Sequence, residues 1–528
     1  MPLSWWQSAF IPTRTPSTPE IVYEEEPSPP AETFFDADVP KQIAIIQAFK
    51  SAWLSYERDA LGSDEYHPIS HRGSNISSSG GVGYTVTDAI DTMIIMGLTD
   101  EHQRAREWVK KKLTFEREGV FSTFEITIRV LGGLLSAYRL TGDDLYLEKV
   151  IDLADRLLPA FDTTSGLPLP SVNLAQKTGV PDQYAPQTIS TAEAATLQLE
   201  FRYLAELTGN SDYWHKTEKA LAVIANAKMS HNLVPINMNV VSGTFIASDI
   251  RLGSRGDSYY EYLLKQYLQT PNVEQMYEGA MQGVHDNLVQ KSLKKHMTYI
   301  AELIPQGGKQ KWGRQAKQDH LVCFLAGSLM LGATTSGAII HPVSVPPKME
   351  ELSERGQRDW KTGVDLLETC MDTHDTSTGL SPEIVQFKTS EDQRPDSDRD
   401  WYIKNSRKGG PSSYDARYML RPETVESLFI AWRLTGDTRY RDYSWSIFSS
   451  IQKHCRVASG GYATVLDVDT VPVSLDDKQE TFFLSETLKY LYLTFSNSSL
   501  IPLNEYVFNT EAHPLPIFKP STTLKYLT

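Results

Sequence analysis

The feature that most constrains the fold is a unit that recurs along the chain: a helical stretch runs into Thr-Gly-Asp or Thr-Gly-Asn, and a Tyr or Trp then opens a further helical stretch. It occurs at residues 134–143 before Tyr146, at 199–210 before Tyr213-Trp214 and at 428–437 before Tyr440, with a degenerate copy over 262–272. The Gly suits a helix C-terminus that needs positive φ, and the Asp or Asn after it suits the next N-cap. Each unit therefore predicts an αα-hairpin, and several hairpins in one chain predict a repeat architecture. An α/α barrel and an α-solenoid both stack such hairpins. The barrel is favoured because the repeat lengths vary and the connecting loops are rich in carboxylates and aromatics. Strand-like alternation is confined to short segments such as 461–468, so the expected class is all-α with minor β hairpins.

Residues 1–38 are rich in Pro, Ser, Thr and Glu and carry no periodicity, which reads as a stem or linker. From Val39 the apolar residues Ile43, Ile46, Phe49, Trp53 and Tyr56 fall at helical spacing, so 39–528 is read as one domain. A net charge of −15, from 51 basic and 66 acidic side chains, repels a phosphate backbone and argues against nucleic acid as partner. Neutral glycans and cations remain open. The uncharged window 321–340 has the length of a membrane span, but its Gly and hydroxyl residues favour a buried helix ending near Leu331 and then a loop. No basic segment followed by an apolar stretch is visible at Met1. Three cysteines are too few for a disulfide scaffold, and one pair with one leftover thiol is the most they allow. The sequons Asn75-Ile76-Ser77 and Asn497-Ser498-Ser499 permit glycosylation in a secretory compartment.

The repeat also lines up acids. Glu125, Glu193, Asp257 and Glu423 lie 16, 15, 13 and 12 residues before the Thr that ends their units. At 1.5 Å rise per residue this puts four carboxylates together, roughly 18 to 24 Å from the turns, as a ring at one barrel mouth. Complementing the helix dipole explains any one of them. It explains less well the neighbouring arginines: Arg129 one turn beyond Glu125, Arg255 beside Asp257, and Arg421 beside Glu423. Acids clustered with Arg and aromatics, with no nucleophile elbow, phosphate-cradling loop or HExxH, point to glycoside chemistry run by a pair of carboxyl groups.

Blocks spread over the chain carry a resemblance. Phe124-Glu-Ile-Thr-Ile-Arg-Val-Leu-Gly-Gly, Gly256-Asp-Ser-Tyr-Tyr-Glu-Tyr, His320-Leu-Val-Cys-Phe-Leu, Leu420-Arg-Pro-Glu-Thr-Val-Glu-Ser, Glu480-Thr-Phe-Phe-Leu-Ser-Glu-Thr and Phe508-Asn-Thr-Glu-Ala-His-Pro occur in order between about Phe49 and Ile517. They closely resemble the class I α-1,2-mannosidases of glycoside hydrolase family 47, and within it the endoplasmic-reticulum type, fungal members included. The resemblance implies an (αα)7 barrel, a calcium ion at its floor, and inverting hydrolysis of terminal α-1,2-linked mannose from oligomannose N-glycans by a monomer in the lumen of the endoplasmic reticulum or Golgi, or after secretion.

By resemblance, Glu125 is the acid acting through a water, and Asp257 and Glu423 are the other catalytic carboxylates, with Glu423 the usual choice for base. Arg129, Glu193, Arg255, His320, Glu383, Arg421, Phe482, Glu486 and Glu511 line the sugar subsite. Thr510 binds calcium through its carbonyl and hydroxyl, with Glu480, Glu486 and Glu511 near it. Cys323 and Cys370 form the disulfide. Arg255 implies preference for a single branch. Two other classes compete: a noncatalytic, mannosidase-like glycan-binding factor of quality control, and a structural helical-repeat scaffold.

Overall fold

The computed structural model describes residues 35–271, 273–307, 311–390, 398–405 and 410–521. The stem assigned to 1–38 therefore lies almost wholly outside the described residues, as does Asn272 of the degenerate repeat. The ordered domain begins before Val39. Phe35 already docks, its amide bonded to Ser498 Oγ at 2.8 Å and its ring 4.9 Å from that of Trp432.

Among the described residues, fourteen helices of seven residues or more alternate between an inner and an outer ring. In chain order they are α1 (Val39–Ala60), α2 (Tyr84–Ile95), α3 (Thr99–Lys111), α4 (Gly132–Thr141), α5 (Asp144–Leu157), α6 (Gln198–Thr208) and α7 (Ser211–Asn226). They continue as α8 (Asp257–Gln269), α9 (Glu274–Asn287), α10 (Phe324–Thr334), α11 (Glu354–Asp372), α12 (Glu423–Thr435), α13 (Thr438–His454) and α14 (Leu488–Thr494). The even-numbered helices pack side by side, α2 on α4 and onward round to α14, and the turn Phe483–Thr487 ahead of α14 returns to α2. This closes the inner ring. Each odd-numbered helix from α3 to α13 backs the inner helix before it, and α1 backs α14, so seven hairpins make an (αα)7 barrel.

Burial follows position. In α12 every residue from Glu423 to Arg433 is buried, whereas α5 buries Tyr146, Val150, Leu153, Ala154 and Leu157 along one stripe. The uncharged window is inner helix α10, ending at Thr334, and no described helix is long and apolar enough to cross a membrane.

The Thr-Gly-Asp units form one geometry three times. Gly142, Gly209 and Gly436 take φ of 67°, 68° and 67°. Asp143, Asn210 and Asp437 then cap α5, α7 and α13 by accepting from the amides of Leu145, Asp212 and Arg439. The degenerate unit lacks the glycine, and α8 ends instead on extended Thr270.

The strands are short, and three small antiparallel sheets deliver site residues to the mouth. Strand Val120–Ser122 pairs with Ser171–Asn173 and hands Ser122 to the N-cap of the turn carrying Glu125. Strand Thr188–Ser190 pairs with Asn237–Asn239 and hands Ser190 to the N-cap of Thr191–Ala195, the turn of Glu193. Strand Lys317–Asp319 pairs with Ile384–Phe387 and leads into His320. The alternating segment at 461–468 forms only isolated bridges, Tyr462 to Arg456 and Val465 to Tyr418 and Leu475, because its partners belong to separate loops. Cys323 and Cys370 are disulfide-bonded, tying the start of α10 to the end of α11, and Cys455 is a buried free thiol.

A last hairpin, Tyr506–Phe508 with Pro514–Pro516, enters the barrel from the end opposite those sheets. Its tip, residues 509–513, is fixed by buried polar groups from the surrounding helices. Asn509 Nδ2 donates to Ile128 O at 2.9 Å and Glu200 Oε1 at 2.8 Å. His513 Nδ1 meets Asp91 at 2.8 Å, and Lys489 Nζ donates to Asp91 at 3.0 Å and to Ala512 O at 2.7 Å. Burial raises the Asp91 carboxyl, but Lys489 and His513 outweigh it and hold the group below the usual carboxylate range. Lys489→Met strips Asp91 of its ammonium in a dry interior, so unfolding free energy measured by denaturant titration falls by about 3–5 kcal/mol. A loss under 1 kcal/mol contradicts this account.

Candidate active site

The barrel encloses a cavity of about 320 Å³, open at the sheet-bearing end and floored by the hairpin tip. Glu125, Glu193, Asp257 and Glu423 all line it, so the acid ring expected from the repeat spacing is there. Arg129, Arg255, Arg421, Phe482, Glu486, Thr510 and Glu511 line it as well. His320 and Glu383 stand directly behind the wall.

Each acid is placed by a helix start. Asp257 and Glu423 are the first residues of α8 and α12. The amide of Glu125 is capped by Ser122 Oγ at 3.2 Å. Glu193 is partly a structural acid: it completes a capping box, accepting from the Ser190 amide at 3.1 Å while Ser190 Oγ accepts from its own amide at 3.1 Å.

The arginines pair differently from their sequence neighbours. Arg129 does reach Glu125, Nε to Oε2 at 2.8 Å, and its other end bonds Thr481 Oγ1 at 2.9 Å, Asp88 at 3.2 Å and Glu511. It sits in a π turn, Thr127–Leu131, and a second π turn, Phe483–Thr487, presents Ser485 and Glu486. Arg421, in contrast, grips Glu383 in a two-pronged bond at 2.7 to 2.9 Å and stands 4.0 Å from Glu423. Its guanidinium also lies 5.7 Å from the Phe482 ring centre. Arg255 forms no ion pair with Asp257. Its φ of 73° is strained for a side-chain-bearing residue and turns the chain into Gly256 and α8.

Two lining acids escaped the sequence reading. Glu261 and Glu426 lie one helical turn below Asp257 and Glu423 on the same inward faces, and Lys265 Nζ bridges them, bonded to Glu261 and 3.3 Å from Glu426. The i, i+4 and i, i+3 spacings were the available signal.

Thr510, at the hairpin tip, donates its hydroxyl to Glu261 Oε2 at 2.7 Å. Glu261, Glu426, Glu486 and Glu511 surround that floor. Burial first, and the neighbouring carboxylates after it, push Glu486 well above the carboxylate range, and burial does the same to Glu511 against Arg129. Crowded oxygen donors with surplus negative charge suit a hard divalent cation. No group of three His, Cys, Asp or Glu among the described residues is arranged to hold a metal directly, and the oxygen donors that the hairpin tip itself offers at the floor are the hydroxyl and carbonyl of Thr510. Glu480 is turned to Lys478 at 3.2 Å and is not among the lining residues.

Burial also governs the upper tier. It pushes Asp257 up to about 7, with Glu261 adding to the rise while the Ser258 amide and Arg421 oppose it. Glu423 is pushed up to about 8 against the pull of Arg421. His320 is forced well below the imidazole range by burial, then by His374 and Arg421. A carboxyl whose folded pKa is raised contributes full stability below its unfolded value, and that contribution is lost as pH rises through the folded value. In chelator, Glu423→Gln is therefore expected to gain stability over the parent between pH 5 and pH 8, by roughly 3–5 kcal/mol. Urea titrations of both proteins across that window check it, and a constant difference contradicts it.

The model for glycosyl hydrolase family 47 matches residues 48–517. The chain is 44% identical over 516 residues to a mannosyl-oligosaccharide 1,2-alpha-mannosidase of Arabidopsis thaliana, covering 90% of this chain and 79% of that protein. It is 41% identical to the endoplasmic reticulum mannosyl-oligosaccharide 1,2-alpha-mannosidase of Schizosaccharomyces pombe, covering 94% and 93%. The solved alpha-1,2-mannosidase from Trichoderma reesei superimposes with a TM-score of 0.80 at 27% identity, over 92% of this chain and all of that one. The matched span takes in every acid of the cavity and the hairpin tip below them, and the chain belongs to glycosyl hydrolase family 47.

Proposed function

We propose that the protein is a calcium-dependent, inverting mannosyl-oligosaccharide 1,2-α-mannosidase that removes terminal mannose from oligomannose N-glycans. One observation carries the reading: Glu125, Asp257 and Glu423, from three different parts of the inner wall, converge with Arg129 and Arg421 in one cavity. Its volume is at the lower end of what small-ligand sites occupy. The relatives' names give the linkage. The chain from Phe35 onward serves as the catalytic domain, with the segment before it as stem.

Glu125 acts as general acid, delivering a proton through a water to the glycosidic oxygen as its bond to the anomeric carbon breaks. Arg129 fixes that carboxyl by the Nε bond to Oε2. On the opposite face a second water forms the new bond to the anomeric carbon and gives its proton to the base, Glu423, with Asp257 beside it. In inverting enzymes the acid and base stand about 6.5–9.5 Å apart to admit that water. The Arg421 guanidinium, locked by Glu383, favours the ionised form of Glu423 and places Phe482 as an apolar face for the sugar ring. When bound at Thr510, calcium supplies positive charge that favours ionised carboxylates on the floor.

Secretory-pathway residence, in the endoplasmic reticulum or Golgi lumen, is supported by the relatives named for the endoplasmic reticulum and by a disulfide that needs an oxidising compartment. Preference for one branch is assigned to Arg255, which lines the cavity at the turn into α8.

With calcium, the protein is expected to release mannose from an oligomannose glycan, and the first-formed sugar seen by NMR is the β anomer. No release, or α-mannose first, overturns the reading. Glu125→Gln lowers kcat by about 10²–10⁴-fold. Exhaustive chelation abolishes activity and lowers the melting temperature, since a cation bound only by the folded state stabilises it. Arg255→Leu keeps activity and relaxes the branch preference in the product pattern, and an unchanged pattern removes Arg255 from that role.

A further inference from the structure

Behind Glu423 lies a buried pair of imidazoles. His320 Nε2 is 3.1 Å from Thr424 Oγ1 and 3.8 Å from Glu423 Oε2, an oxygen that is buried without a hydrogen-bond partner. The His374 ring stands against the His320 ring at 79°, with centroids 5.9 Å apart. Its Nδ1 is 3.1 Å from the carbonyl of Gly379. A carbonyl only accepts, so Nδ1 carries the proton and Nε2 keeps a bare lone pair. That Nε2 is buried and has no hydrogen-bond partner. An unsatisfied polar atom is costly where an apolar side chain would fill the space, and such an atom calls for an explanation.

The covalent frame brings the two rings together. His320 is three residues before Cys323 and His374 four after Cys370, so the disulfide staples their segments. The charged groups facing His320 are Arg421 and Glu423, with the Tyr418 ring on a third side. In the turn of His374, Asp372 is engaged by Lys295 and Trp401, and Asp375 is exposed.

We propose that His374 is a positioning residue for the hydrolysis: anchored on Gly379, its ring sets the angle at which the Nε2 edge of His320 faces Glu423. It touches neither substrate nor base. Its neutral, polar edge fills the space behind His320, excluding water and any counter-charge that would let the imidazole protonate or rotate. Burial pushes His374 itself down to about 4, so the pair stays neutral through the working range of a lumenal enzyme. The proposal rests on the reading of Glu423 as catalytic.

The test compares the parent with His374→Ala and with His374→Asn, which keeps a donor for the Gly379 carbonyl and folds where the alanine variant does not. In whichever variant folds, kcat is expected to fall about tenfold with KM unchanged, since a small misplacement behind the chemistry is enough for such a loss. An acid limb near the ordinary histidine pKa of about 6.5 should enter the kcat profile as His320 becomes titratable. Histidine-labelled NMR, assigned with His320→Gln, reads the same event without turnover. The His320 ring signal stays flat between pH 5.5 and 7.5 in the parent and titrates in the variant. A variant that is only less stable, with kcat within twofold and a flat His320 signal, overturns the proposal. A parent that releases no mannose overturns the reading of Glu423 instead, and the NMR comparison still decides whether His374 controls His320.

Discussion

The tip of the C-terminal hairpin depends on a charge balance that the rest of the site inherits. Residues 509–513 occupy the axis of a ring of seven helices, where water is excluded and every polar group needs a partner. Three cations do most of the neutralising. Arg129 answers Glu125, Asp88 and Glu511; Lys265 answers Glu261 and Glu426; Lys489 answers Asp91. Each comes from a different inner helix or turn, so the acids around the seated hairpin are answered from several sides of the ring. The acids outnumber these cations, and Glu486 is left with no ion pair among the described residues. Hydroxyls answer part of that surplus: Thr510 donates to Glu261, Ser485 to Glu511 and Tyr490 to Glu426.

The same burial that completes the plug raises the upper carboxyls above the usual carboxylate range. Asp257 and Glu423 are the first residues of their helices, where the N-terminal dipole favours ionisation, yet desolvation outweighs it. Their environments can then be poised by groups that are few and fixed: Arg421 on Glu383, Arg129 on Glu125. Backbone strain is spent at the same places. Arg255, Leu420 and Ala512 adopt positive φ immediately before Gly256 and Asp257, before Arg421, and beside Glu511. A residue without glycine's freedom accepts that conformation only where surrounding contacts dictate it.

The repeat made the barrel legible because its signal is local. A Thr-Gly-Asp turn needs no knowledge of the rest of the chain, and three copies fixed the direction of the inner helices and hence the side on which Glu125, Glu193, Asp257 and Glu423 assemble. What spacing could not give were partners chosen across the barrel. Arg421 is gripped by Glu383, 38 residues away, and stands only at 4.0 Å from the acid two positions on; Lys489 looks to Asp91, 398 away. Glu261 and Glu426 were within reach of a helical-wheel argument, but a carboxylate one turn inside a helix reads as a solvated face until the helix is known to be inner. The alternating segment at 461–468 misled in the opposite direction. Its period was that of a strand, and its backbone does bond 416–418 on one side and 474–478 on the other, but as isolated bridges and not as a continuous strand.

The plug also decides what kind of polymer chemistry the cavity admits. A barrel open at both ends would let a glycan thread through and be cut internally. Here the hairpin fills one end, and its tip floors the cavity that Glu125 and Glu423 line. The loops that carry Glu193 and Arg255 border the open end of the cavity. The division is imposed by the fold: the inner helices and hairpin close the floor, while the small sheets between helices present their residues at the rim.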